Sequence, residues 1–206
     1  MANDVQVQPV ADLREYFRDA LHVALSHQHI AVEDQTEHYV VNLLTIFARA
    51  DQLFEQTPAG PRLTPLVVML SQALEAPNHE ERCRGLQRLG DVSLFVAGFF
   101  AQGFATKLVD IDYHIAMGGR AYGTLAETLR AGRRRTLGQV FGELAQKFQP
   151  MVDALNEISE TAYRHSHDDL LRLYEVWIKT GSERSRAILR RLGVEPVHSP
   201  NARLAH

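Results

Sequence analysis

Apolar residues recur at intervals of three and four along most of this chain, and no strand–turn–strand alternation interrupts them. A first helix is predicted from about Val10 to Ser26, with Val10, Leu13, Phe17, Leu21 and Ala24 on one stripe. A second, about Asp34 to Phe54, turns Val40, Leu43, Leu44, Phe47 and Phe54 inward. Gln56 to Pro61 reads as a loop. Beyond it, Thr64 offers an N-cap hydroxyl and Pro65 a pre-set φ at the first helical position. That third helix ends by Ala76, because Pro77 disfavours helical geometry at the residue before it. Asn78 and Glu81 have the spacing of a capping box and open a fourth helix reaching about Ala101, with Gly103 available as a stop. A fifth runs from Asp110 to about Leu129, followed by a Gly–Arg-rich connector, Ala131 to Arg135. Leu137, Val140, Leu144, Phe148, Met151, Leu155 and Ile158 stay in phase through Pro150, which predicts one kinked sixth helix. Ser166 and Asp169 cap a seventh, carrying Leu170, Tyr174, Trp177, Ile188 and Leu192 inward, with Gly181 as an interruption and Gly193 and Pro196 as its stop. The pattern predicts one all-α domain over residues 1–206, a multi-helix bundle of about seven helices. Residues 1–8 and 195–206 read as flexible ends.

The fourth helix, about 79–101, has its apolar residues on nearly every side: Leu89, Val92, Leu94, Phe95, Val96, Phe99 and Phe100. A helix apolar all round belongs inside a bundle, covered by its neighbours. Arg88 and Asp91 lie in this run, and an isolated buried carboxylate is costly. Asp91 therefore needs a partner, either Arg88 or a residue of another helix. The contact either fixes helix register or anchors a ligand inside the bundle; the first is the commoner arrangement.

On the fifth helix Ile111, Ile115, Gly118, Tyr122, Leu125 and Leu129 form the core stripe, with Asp112, Ala116, Gly119 and Gly123 as a small-residue edge. Each interior glycine costs about 0.8–1 kcal/mol relative to alanine. Close approach of another helix would offset that cost, and so would a flat ligand against exposed backbone. His114 borders the core stripe and suits proton transfer near neutral pH. The Tyr122 hydroxyl, on the core stripe, needs a polar partner. Arg88, Asp91, Asp112, His114, Gly119 and Tyr122 thus outline a candidate ligand pocket between the fourth and fifth helices.

Composition is that of an ordinary globular chain, with 45% apolar and 23% charged residues, which excludes disordered and collagen-like classes. One cysteine, Cys83, excludes an intramolecular disulfide and any multi-cysteine metal site; it reads as a small buried hydrophobe. A net charge of −3 argues against general nucleic-acid binding. The longest dense apolar stretch, Val92 to Phe100, is far short of the roughly 20 residues that span a bilayer. The N-terminal residues lack a signal-peptide pattern, so a cytoplasmic location without membrane association is the expectation. The charge is uneven: residues 1–60 hold nine acids and three Lys/Arg, while residues 179–206 hold six bases and two acids. These read as solvated faces, or as opposed ends docking within one chain or between copies.

Di-iron carboxylate bundles carry two Glu-x-x-His pairs on their helices, and the predicted helices here carry none. Asp19 with His22 and Asp34 with His38 fall on polar faces. His27 and His29, and later His165, His167, Asp168 and Asp169, cluster in connectors. Asp110 and His114 have the spacing to share a metal, but Asp110 reads better as an N-cap. No metal site is assigned, and no cofactor is identified. There is no Gly-x-Ser-x-Gly elbow, phosphate-binding Walker loop or dinucleotide fingerprint. Arg130, Arg133, Arg134 and Arg135 form the one dense basic run, suited to a helix C-terminus or to a phosphate or acidic partner. No aromatic residue is interleaved for base stacking.

Gly118, Gly119 and Gly123, with the helix count and length, resemble the haem-oxygenase-like fold, in which a glycine-rich helix passes close above the haem. The likeness is one of fold and covers a small fraction of the chain; no histidine of the first helix lies on its inward stripe as a haem ligand. Two functional readings follow. The favoured one is a helical binding or protein-interaction domain, acting as a homodimer or with another protein, with a small-molecule ligand as a further possibility. The alternative is a cofactor- or metal-dependent enzyme with its pocket between the fourth and fifth helices.

Overall fold

The computed structural model describes residues 13–48, 50–57, 60–100, 111–130, 134–163 and 189–190. They form helices α1 (Leu13–His27), α2 (Asp34–Phe47), α3 (Ala50–Leu53), α4 (Leu66–Leu74), α5 (His79–Phe99), α6 (Ile111–Arg130), α7 (Arg135–Gln146) and α8 (Phe148–Tyr163). A short antiparallel hairpin, β1 (Glu55–Thr57) and β2 (Gly60–Arg62), occupies the stretch read as a loop and pairs Thr57 with Gly60. Gly60 has φ +106°, a conformation only glycine adopts without strain. The architecture is an all-α multi-helix bundle; among the described residues, every helix except α3 is longer than a single turn.

The predicted fourth helix, α5, is its axis. Val92 through Phe100 are all buried, and α5 packs against α2, α4, α6 and α8. With no polar side in this half, the helix is stable only when surrounded. Its start is fixed locally: the Asn78 side chain accepts from the Glu81 N–H at 2.9 Å and donates to Glu81 Oε1 at 2.9 Å. At its far end Phe95 lies 5.1 Å from Phe99, 5.3 Å from Phe47 and 5.6 Å from Phe100, ring centre to ring centre.

Helix α1 ends in a paired motif. The His29 N–H bonds the Ser26 carbonyl at 3.2 Å and the Ile30 N–H bonds the Leu25 carbonyl at 2.9 Å. This requires His29 to adopt φ +55°, the left-handed position usually given to glycine.

Three predicted boundaries are corrected. The second helix stops at Phe47, and the separate turn α3 carries Leu53 into the core with Phe54 after it. At the third, Pro65 rather than Thr64 occupies the N-cap: its carbonyl accepts from Val68 and Met69, and no side-chain cap forms. The sixth is two helices. Pro150 lacks the N–H that would bond the Gln146 carbonyl, so α7 stops at Gln146 and Pro150 falls in the first turn of α8, where no donor is needed. The apolar stripe still holds across the break, with Val140, Leu144, Phe148, Met151, Leu155 and Ile158 buried.

The predicted seventh helix and the chain ends lie outside the described residues, except that Leu189 and Arg190 are helical and Leu189 is buried. No described helix is long and apolar enough to cross a membrane. Short α4 packs Ala73 toward Gly85 of α5 and leaves Val67, Val68 and Leu74 exposed.

Candidate functional site

Asp91 is the meeting point of three helices. The phenol of Tyr39 on α2 and that of Tyr122 on α6 both donate to its Oδ1, each at 2.6 Å. Gln87, one turn earlier on α5, donates to the Tyr39 oxygen at 3.0 Å. Burial raises the Asp91 carboxyl to about 6; the two phenols and the nearby Arg88 charge oppose that rise. Burial and the adjacent carboxylate hold both phenols above their usual range, so they stay protonated and donate. Phe141 of α7 completes the cluster, stacked on Tyr122 at 5.3 Å and edge-on to Tyr39 at 5.1 Å. Of the two partner types the sequence allows Asp91, the structure uses other helices. Arg88 instead donates to the Leu53 carbonyl at 3.1 Å and lies over the Phe47 ring at 4.9 Å.

The remaining candidate residues do not gather there. His114 is on α6, eight residues before Tyr122, about 12 Å along the helix axis. It is buried, and burial lowers its imidazole to about 4, so it is neutral at physiological pH. Asp112, two residues before His114, is exposed, and Gly119 is half-buried. Asp110, His165, His167 and Asp168 lie outside the described residues. Among the described residues no group of three or more His, Cys, Asp or Glu side chains is placed to hold a metal ion. Cys83 is half-buried, with its thiol 3.8 Å from His79 Nδ1; burial raises the thiol pKa against the charges of Arg134 and Arg82, so this is not an activated nucleophile.

The glycines of α6 face protein. A methyl on Gly118 would lie 2.3 Å from Phe148 Cζ and 2.6 Å from Ser93 Cβ; at Gly119 and Gly123 the nearest atoms, on Phe148 and Ala145, are 3.8 Å away. Helix approach, rather than a flat ligand, occupies this surface, and the close contact is at Gly118.

No protein-family model, curated protein or solved structure matches this chain.

An open cleft of about 460 Å³ runs along the seam between α2 and α7. Glu33, Gln35 and Thr36 line it at the start of α2, Arg130 at the end of α6, and Gln139, Val140, Gly142, Glu143, Gln146 and Lys147 along α7 and its cap. Its inner wall is already ordered. Glu143 accepts from the Glu33 N–H at 3.1 Å and from Lys147 Nζ at 2.7 Å, and Lys147 also reaches the Ala31 carbonyl. Burial acts to raise Glu143, but the bonds from Lys147 and the Glu33 backbone help to outweigh it and hold the carboxyl below its usual range. Arg130 lies across α7 where Gly142 has no side chain: a methyl there would come within 2.6 Å of Nη2. Neither the Arg130 guanidinium nor the Glu33 carboxylate bonds a protein group among the described residues.

From the sequence, Arg130 reads only as part of a basic run and Val140 only as part of the apolar stripe; the other cleft residues are not singled out. Two signals for it were legible: Glu143 and Lys147 at salt-bridge spacing, and Gly138 and Gly142 four apart on one helix face. Tyr39 was missed because its neighbour Val40 carries the apolar stripe.

Proposed function

We propose that this chain is a binding domain for a small polar molecule, with the α2–α7 cleft as its site. The observation that carries the reading is a cleft within the usual range of small-molecule sites, about 300–1,000 Å³, whose inner polar groups are fixed before anything enters. Glu143 and Lys147 hold each other and the backbone of the neighbouring segment, so they shape the wall without needing to reorganise. Outward, Gln35, Gln139 and Gln146 are exposed amides that offer both donors and acceptors. The Asp91 cluster supports this role from below. It ties α2, α5 and α6 together, with Phe141 adding α7, and so keeps the two helices of the seam in a fixed relation.

The test is a titration of the ¹⁵N-labelled chain with neutral, anionic and zwitterionic small molecules, alongside Gln139→Trp. Gln139 is exposed on α7, so the indole fills the cleft with little effect on the core. Binding is expected to shift the amides of Gln139, Gly142 and Gln146 and to be lost in Gln139→Trp. Binding that Gln139→Trp leaves unchanged would place the site elsewhere and refute the proposal.

A further inference from the structure

We infer that the cleft takes a small zwitterion, an amino acid or a dipeptide, whose carboxylate sits on the Arg130 guanidinium and whose ammonium lies beside Glu33. This rests on the reading of the cleft as the binding site. Four charged side chains line it, two of each sign. Lys147 and Glu143 satisfy one another at 2.7 Å. What is left is one cation and one anion, Arg130 from the end of α6 and Glu33 from the start of α2, each without a protein partner among the described residues. They flank successive residues of α7: Gly142 lies under the guanidinium, and Glu143 accepts the Glu33 N–H.

The chemistry of the two ends decides the ligand class. A guanidinium presents a planar fork that matches a carboxylate with two parallel hydrogen bonds. A doubly charged phosphate would fit that fork too, but it would bring its second charge into a cleft that holds two carboxylates. A neutral polar molecule would use neither free charge. A molecule with a carboxylate at one end and an ammonium at the other uses both. Gln139 and Gln146 stand three residues before and four after Gly142, on the same face of α7. They are placed to meet a peptide or side-chain amide between the two ends. Gly142 is part of the site, since any side chain there displaces the guanidinium.

The experiment is an NMR titration of the full chain with glycylglutamine, its N-acetylated form and its C-terminal amide. The unmodified dipeptide is expected to shift the amides of Gln139, Gly142 and Gln146. Amidating the carboxylate, or changing Arg130→Gln, should each weaken binding about tenfold or more, as for loss of one charge-assisted pair. The two changes together should cost no more than either alone. N-acetylation and Glu33→Gln should weaken binding severalfold, again without adding. Gly142→Ala should weaken binding as Arg130→Gln does while leaving the melting temperature no lower, because the atom it displaces is the end of a flexible side chain. Equal binding of the amidated peptide, or an unaltered Arg130→Gln, overturns the zwitterion assignment and leaves the cleft reading standing. Absence of any shift at these amides with all three peptides overturns the zwitterion assignment; the same absence across the wider panel overturns the cleft reading as well.

Discussion

Two adjacent glycines of α6 provide a matched test of how the bundle is packed. At Gly119 an added methyl would find its nearest atoms at 3.8–3.9 Å, an ordinary contact distance, on Phe148 and the Ala145 carbonyl. Nothing need move, and the helix gains about 0.8–1 kcal/mol of intrinsic preference from alanine. At Gly118 the same methyl meets Phe148 Cζ at 2.3 Å and Ser93 Cβ at 2.6 Å. Neither neighbour has room. Ser93 belongs to the wholly buried part of α5, and Phe148 is 3% exposed and packs on Tyr122 at 5.9 Å. Overpacking costs about 1–3 kcal/mol in general, and with both neighbours held in the core the upper part of that range, about 2–3 kcal/mol, applies here. Set against the same helix-propensity gain, Gly118→Ala should come out destabilised by about 1–2 kcal/mol and Gly119→Ala stabilised by up to about 1 kcal/mol. Urea denaturation of the two variants and the parent measures the gap, with unchanged m-values as the check that the unfolded state is the same. The expected separation of about 2–3 kcal/mol corresponds to roughly 4–12 °C in melting temperature for a chain of this size. If Gly118→Ala were as stable as the parent, the close approach of α5, α6 and α8 at this point would be wrong.

Two further outcomes are expected. His29→Gly should raise stability by about 1 kcal/mol in the same urea assay, since it removes a left-handed conformation costing about 1–2 kcal/mol in a residue with a Cβ, less the added freedom of the unfolded chain; a destabilised variant would show that the His29 side chain makes contacts worth more than the strain. His114→Leu and Asp91→Asn should alter the pH dependence of stability with opposite signs. The His114 imidazole is lowered to about 4 in the fold, so its neutral form favours folding above pH 6.5, and that advantage is lost as pH falls from 6.5 to 4, on the order of 3 kcal/mol. Asp91 is raised to about 6, so its contribution is present below pH 3.8 and lost as pH rises through 6. Stability measured from pH 4 to 7 should therefore rise less steeply in His114→Leu than in the parent, and more steeply in Asp91→Asn. Parallel curves for all three proteins would refute both assignments.

The bundle was legible in the sequence because its determinants are local or periodic. The run from Leu89 to Phe100 could only be a covered helix, and the Asn78–Glu81 pair fixes where that helix starts. Pro150 shows how such evidence stops short. The stripe from Val140 to Ile158 continues through it, but periodicity records which residues face inward and not whether one helix axis carries them. The break at Gln146 follows from a missing N–H, whose effect falls one turn earlier in the chain. Likewise the three α6 glycines called for a close helix approach or a flat ligand, and only the neighbours on α5 and α8 decide that helix approach is the answer, borne by Gly118 and not by Gly119.

The polar constellations depend on pairs distant in sequence, which is why they resisted a one-dimensional reading. Asp91 was recognisable as a carboxylate in need of partners, but 52 residues separate it from Tyr39 and 31 from Tyr122. The cleft is harder still. Its inner ion pair lies within one helix and could be read from spacing, whereas Arg130 and Glu33 are joined only by α7 passing between them. Their lack of partners is a property of the folded chain alone. That difference also separates the roles of the two constellations. The Asp91 cluster is closed, its three hydroxyl and amide donors directed at one another or at Oδ1, so its contribution is to hold helices. The cleft is open and retains one charge of each sign on its rim, so the capacity for an outside partner lies there.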